Sequence, residues 1–405
     1  MYGTATLANG IRIIHKSVDS DVAHCGIIIN TGTRDEDEKE HGIAHFTEHM
    51  LFKGTKKRKA FHVLSRMEDV GGEIDAYTTK EETCISASFL HEFYERAIEL
   101  MNDVVFNSTF PKKEMDKERE VIIDEINSYK DSPADMIFDE FEDLIYPGHS
   151  LGRNILGTKK LLEKYTDDDI IKFISKKYNT DEMVFCSIGN IKFEKLLKYC
   201  EKYFGSNPQN KRNFKRIPFT GNVSIERTLK KHTHQAHCIL GTYAYSFSNP
   251  KRLPLFLISN MLAGPGMNSR LNMVLREKRG LSYNIESSYI PYEDTGNFNI
   301  YFGVDKDNLN YSIELIFKEL NSLKIKQLGP IQMNKIKKQL IGQISIGNEI
   351  NSNMLLSMGK TYLIYDQIET LKETIKEIES VNATQILEVA NEIFDRDNFS
   401  TLIYI

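Results

Sequence analysis

The sequence predicts an α+β protein of two similar domains in tandem, each an antiparallel-rich sheet packed against helices. Three observations predict it. A length of 405 residues exceeds what one hydrophobic core ordinarily serves and fits two domains of roughly 200 residues each. Strand-like and helix-like segments recur in the same order in both halves. A polar stretch, GSNPQNKRNFKRIPFTGN (205–222), rich in Gly, Asn, Lys and Arg and holding two prolines, separates them. The expected spans are a first domain over 1–204, a linker over 205–218 and a second domain over 219–405.

Taken in order, TLANGIRIIHK reads as a strand pair turning at Asn9-Gly10, and AHCGIIINTGT as a buried strand. A helix follows over the histidine-rich stretch near residue 45, then another near 60–70 that stops at Gly71-Gly72. EIDAYTTKEETCISASF alternates like a hairpin. Amphipathic helices are expected over 91–106 and 111–130, with Pro111 suited to a first turn. The helical segment ADMIFDEFEDLIY, the strand MVFCSIGNI and the helix FEKLLKYCEKYF complete the half. Beyond the polar stretch come strands around SIERTL and AHCILGTYAY and helices from Pro254 onward. The hairpin SYNIESSYIPYEDTGNFNIYFGV, two long helices and the strand FSTLIYI finish the chain.

The two halves align by eye. FTEHML (46–51) falls on LISNML (257–262), and FPKKEMDKEREVIIDEI (110–126) on LGPIQMNKIKKQLIGQI (328–344). In that register His49 meets Asn260, Glu118 meets Ile336 and Glu125 meets Gln343. A scaffold repeated without its ionisable groups suggests that those groups serve chemistry rather than folding.

Composition narrows the function classes. A net charge of −5 with no basic stretch argues against nucleic acid or an anionic membrane as partner. No run approaches the ~20 apolar residues of a spanning helix, and no signal peptide is visible. Five dispersed cysteines without a C-x-x-C pair read as reduced thiols rather than a disulfide framework, so a cytoplasmic location is expected.

The chemistry concentrates in HGIAHFTEHMLFKGT (41–55), which holds three of the 11 histidines. His45 and His49, four apart, share one face of a helix. Two imidazoles so placed can bind one zinc ion, and the carboxylate of Glu48 reaches the same rim, where it could take a proton from an activated water. A catalytic zinc needs a third protein ligand. KEREVIIDEINSYKDSP offers Glu118 and Glu125, about two helical turns apart and on one face, and the spacing alone does not choose between them.

HGIAHFTEHMLFKGT, GGEIDAYTTKEETC and KEREVIIDEINSYKDSP together resemble the pitrilysin/insulinase family of zinc peptidases, the inverzincins. The similarity is greatest to the branch of the mitochondrial processing peptidases and their bacterial relatives, and it runs through essentially the whole chain. The resemblance implies that His45, His49 and Glu125 ligate one Zn2+ per chain, that Glu48 is the general base, and that Glu118 supports the site without ligating. It further implies that Asp75, Ala76, Tyr77 and Thr78 form an edge strand pairing with an extended substrate backbone. Family members more often carry Asn where this chain has Asp75, a change expected to alter local hydrogen bonding. From LREKRGLSYNI, Arg276 and Tyr283 match an Arg–Tyr pair that family members bring to the substrate from the half without zinc, where both can donate hydrogen bonds to a carbonyl. The implied function is a zinc-dependent endopeptidase acting on peptides or unfolded polypeptide. Because relatives enclose substrate between two such two-domain units, a homodimer is implied. The alternative is a non-catalytic scaffold or partner subunit of the same fold, which would be expected to have lost motif residues that this chain keeps.

Overall fold

The computed structural model describes residues 2–221 and 224–405; Asn222, the end of the polar stretch, and Val223 lie outside the described residues. The chain forms two compact units, one of residues 1–127, 155–216 and 346–370, the other of 128–154, 217–345 and 371–405.

The first unit carries a six-stranded sheet of β1 (Tyr2–Thr6), β2 (Arg12–Ser17), β3 (Val22–Ile29), β4 (Glu73–Thr78), β5 (Thr83–Leu90) and β6 (Met183–Gly189). Their order is β1-β2-β6-β3-β5-β4, antiparallel throughout except for β2 beside β6. The second unit carries β7 (Glu226–Leu229), β8 (Ala236–Ala244), β9 (Ser282–Pro291), β10 (Gly296–Val304) and β11 (Ser400–Tyr404) in the order β7-β11-β8-β10-β9. The second order is the first without β1. Even the single parallel pair recurs, as β7 beside β11. The internal repeat is therefore one of topology, and the sheets are mixed rather than purely antiparallel.

Alternation along the strands explains how each sheet is covered. Ile27 and Ile29 of β3 and Phe185 of β6 face a core shared with α1 (Ile43–Leu51), α2 (Ala60–Glu68), α3 (Tyr94–Phe106) and α4 (Lys112–Asp131). The neighbours Ile28, Val184, Cys186 and Ile188 point the other way. Strands apolar on both faces need cover on both faces. In the first unit the second cover is the helix Asn351–Tyr365, through Leu355, Tyr362 and Leu363. In the second it is α5 (Pro133–Ile145), whose Ile137, Phe141 and Leu144 pack on Ile239, Tyr301 and Leu402.

The compact units are thus not the contiguous spans 1–204 and 219–405. Residues 128–154 join the second unit and 346–370 the first, because each half supplies helices for only one face of its sheet. The expected linker is also largely tied down. The buried carboxylate of Asp35 pairs with Arg216 at 2.8 Å and Arg212 at 3.4 Å, so the polar stretch belongs to the first unit as far as Arg216. All five cysteines are free and buried. No described helix is long and apolar enough to cross a membrane.

Gly359 sets how closely the helix Asn351–Tyr365 lies on its sheet: a Cβ there would sit 2.7 Å from both Cys186 Sγ and Ile28 Cδ1. Gly359→Val is therefore expected to lower stability by about 1–3 kcal/mol by overpacking. The measurement is the urea midpoint of unfolding; an unchanged midpoint would show that the contact yields freely.

Candidate metal centre

The site begins with α1. Ile43, Ala44, Phe46, Thr47, Met50 and Leu51 are buried, which leaves His45, Glu48 and His49 on the remaining face. The helix starts abruptly at Gly42, whose φ of 94° is left-handed and favours a residue without a Cβ. The carboxylate of Glu36, itself only 4% exposed, accepts hydrogen bonds from the backbone N–H groups of Gly42 at 3.0 Å and Ala44 at 2.8 Å. That charge at a helix N-terminus satisfies donors that would otherwise lack partners. The sequence reading missed Glu36; a carboxylate a few residues ahead of the motif helix was the available signal.

Three donor atoms converge. His45 Nε2 lies 3.9 Å and His49 Nε2 3.7 Å from Glu125 Oε2 on α4, and His45, His49 and Glu125 form a set whose donor atoms all lie within 4.8 Å of one another. Glu125 Oε2 is buried and accepts no hydrogen bond. Burial, and next the neighbouring His49, push His45 down to about 3. At neutral pH its imidazole is thus neutral with an available lone pair, and its approach to Glu125 is not an ion pair. A four-coordinate zinc with bonds of about 2.0–2.1 Å sets its donors roughly 3.3 Å apart. Small side-chain rotations would bring this set to that spacing, and two imidazoles with one carboxylate suit zinc.

Glu118 is placed differently. Its Oε2 lies 3.1 Å from His49 Nδ1, and its Oε1 is 2.7 Å from Lys53 Nζ. It thus meets the ring nitrogen of His49 that faces away from Glu125, which is how a carboxylate orients a metal-binding histidine. Glu125 thus faces both Nε2 atoms, whereas Glu118 faces His49 Nδ1. Glu48 is pushed up to about 7, chiefly by burial; His49 and Thr78 oppose the rise, while Asp75 and Glu125 add to it.

Asp75, Ala76, Tyr77 and Thr78 lie on β4, an edge strand hydrogen-bonded to β5 on one side and packed beside α1. The backbone N–H of Ala76 donates to Asp75 Oδ1 at 2.9 Å. Tyr77 donates to Glu82 at 3.4 Å, and Lys360 holds the same carboxylate at 3.0 Å. The buried Thr78 hydroxyl lies close enough to Glu48 to favour its ionised form. Arg276 and Tyr283 belong to the other unit. Arg276 lies in the π-helical segment Asn272–Glu277 with its Nε 3.7 Å from Glu277, and Tyr283, 79% exposed, stands on the edge strand β9.

Residues 12–159 match the model of the insulinase family, peptidase family M16, and residues 164–340 match that of the peptidase M16 inactive domain. An uncharacterized zinc protease, YmxG, of Bacillus subtilis is 33% identical over 98% of this chain and 97% of its own. The chain belongs to peptidase family M16. An uncharacterized zinc protease of Rickettsia bellii is 32% identical over 99% of this chain and 97% of its own. The fold matches the crystal structure of a protease from Helicobacter pylori with a TM-score of 0.91 at 22% identity, covering 100% of this chain and 99% of that one. An M16 inactive-domain structure from Pseudomonas fluorescens matches at 0.93 and 17% identity, over 100% and 98%. At the family level the chain is thus a metallopeptidase of the M16 type, with two-domain α+β architecture. The inactive-domain match includes Asn260, which falls on His49 when the two halves are aligned by eye, and ends three residues before Gln343.

Glu36→Ala should leave the first turn of α1 without its acceptor and lower stability by about 1–3 kcal/mol. Chemical denaturation measures this; a loss below ~0.5 kcal/mol would mean that water replaces the carboxylate.

Proposed function

We propose that this chain is a zinc-dependent endopeptidase that cleaves unfolded peptides within a homodimeric chamber. The observation that carries the reading is the convergence of His45 Nε2, His49 Nε2 and Glu125 Oε2 beside Glu48 and an open strand edge. His45, His49 and Glu125 would hold one zinc. Zinc at such a site supplies Lewis acidity toward a carbonyl and makes water more acidic. Glu48, which burial raises above the ordinary carboxylate range, would remove a proton from water and return it to a leaving amine. Glu118 accepts the Nδ1–H of His49 and fixes that ring. The open edge of β4, from Asp75 to Thr78, would pair with an extended substrate by main-chain hydrogen bonds, whatever its side chains. Extended pairing selects unfolded segments over compact domains. Arg276 and Tyr283, both able to donate hydrogen bonds, would hold the substrate carbonyl, and in the homodimer they would come from a second copy. Five buried free thiols accord with a reducing cytoplasm.

Metal and base separate experimentally. His45→Ala, His49→Ala and Glu125→Gln should each lower a zinc content of about one per chain, read by elemental analysis. Glu48→Gln should keep the zinc yet lose roughly 10²–10⁴-fold in turnover of an unstructured peptide. Full zinc occupancy in Glu125→Gln would transfer the third ligand elsewhere, and near-normal turnover in Glu48→Gln would remove the proposed base.

The shared site has its own test. Homodimers of Glu48→Gln and of the double variant Arg276→Ala/Tyr283→Phe should both be severely impaired. After subunit exchange, each mixed dimer holds one doubly defective and one intact composite site, so activity should recover. No recovery, with exchange demonstrated by tagged chains, would place the pair in the zinc site of its own subunit.

A further inference from the structure

Lys53 takes no part in the proposed chemistry, yet its ammonium ends at the candidate metal centre. Nζ lies 2.7 Å from Glu118 Oε1, and the other oxygen of the same carboxylate, Oε2, lies 3.1 Å from His49 Nδ1. On the far side of that ring, Nε2 faces Glu125 Oε2 at 3.7 Å. The order Lys53, Glu118, His49 and ligand cluster is therefore continuous. Each Glu118 oxygen has its own partner, and the carboxylate is only 8% exposed.

We propose that Lys53 is a positioning residue of the metal centre: it anchors Glu118 Oε1 so that Oε2 holds His49 in the Nδ1–H tautomer with Nε2 turned to the metal. The proposal rests on the zinc reading of the site. A glutamate carboxylate turns easily about its last bond, so a single contact to an imidazole does not fix its plane. A second, charge-assisted contact on the other oxygen does, because rotation then breaks both. The hydrogen bond to the non-ligating nitrogen is what selects the tautomer and ring orientation of a metal-binding histidine. Sequence position conceals this. Lys53 follows the end of α1, and Glu118 lies on α4, so only the packing of α4 beside α1 brings the two together.

Removing the lysine has two opposed consequences for zinc. Loss of a nearby positive charge favours a dication, but across a partly solvated path that is a few-fold effect at most. Loss of an outer-shell partner typically weakens metal binding 10–100-fold, so the net expectation is weaker binding.

The test uses the full chain, freed of metal and titrated with zinc against a competing chelator. Lys53→Met should bind zinc roughly 10–100-fold more weakly than wild type, and Lys53→Arg, which keeps a charged donor, within a few-fold. Lys53→Met combined with Glu118→Gln should lose no more than Glu118→Gln alone, since both remove one device. In the metal-free protein, the ¹⁵N resonances of His49 should report the Nδ1–H tautomer in wild type and a mixture in Lys53→Met. Thermal melts of each variant identify any that is simply unfolded, for which Lys53→Gln is the substitute. Unchanged zinc affinity in Lys53→Met, or additive losses in the double variant, would overturn the proposal. Should wild type itself bind no zinc, the zinc reading fails, and an unaltered His49 tautomer in Lys53→Met would then overturn this inference separately.

Discussion

Central strands that are apolar on both faces impose the constraint on which the rest of this structure depends. In β3 and β6 consecutive residues point into different cores, Ile27 and Phe185 to one side and Ile28, Val184 and Cys186 to the other. Leaving either face wet would expose several fully buried side chains, each worth roughly 1.5–3 kcal/mol on burial. Each half of the chain has helices for one face. The second face is covered by a helix from the opposite half of the sequence: Asn351–Tyr365 on the first sheet and Pro133–Ile145 on the second. The exchange makes neither contiguous half a complete folding unit.

The same economy operates at the metal centre. One face of α1 is consumed by the core, which fixes the direction of the other; His45, Glu48 and His49 point where they do because Phe46, Met50 and Leu51 are buried. Glu36 anchors the start of the helix, and α4, seated by Met115 and Ile122, delivers Glu118 and Glu125 to the open face. Packing holds the Nε2 atoms of His45 and His49 3.7–3.9 Å from Glu125 Oε2.

The duplicated topology separates the shared scaffold from the side chains that differ between its two copies. Both sheets share strand order, a parallel pair and an exposed edge, β4 in one unit and β9 in the other. Among the described residues, only the first has the cluster of His45, His49 and Glu125. The second presents Arg276 and Tyr283 near and on its edge strand instead. One scaffold thus carries two different sets of side chains, in keeping with the general rule that function resides in sites carried on a fold.

Much was legible in the chain itself. The i, i+4 spacing of His45 and His49 places both on one helix face through backbone geometry alone, and the alternation of EIDAYTTKEETCISASF marks a hairpin with an edge. The recurrence of elements exposed the repeat. Other features depend on atoms far apart in sequence. Glu118 and Glu125 are equivalent by spacing, and only the packing of α4 beside α1 sets one against His49 Nδ1 and the other against both Nε2 atoms. The polar stretch reads as a free linker until Asp35, well over a hundred residues earlier, is seen to bind Arg212 and Arg216. The exchanged helices are invisible to local pattern for a related reason: periodicity says that a face is apolar, not which element will cover it. The sequence by itself determined local geometry and the chemical types available, because these depend on neighbours along the chain. Only the tertiary structure decided the partners, because those depend on which faces two distant segments must bury together.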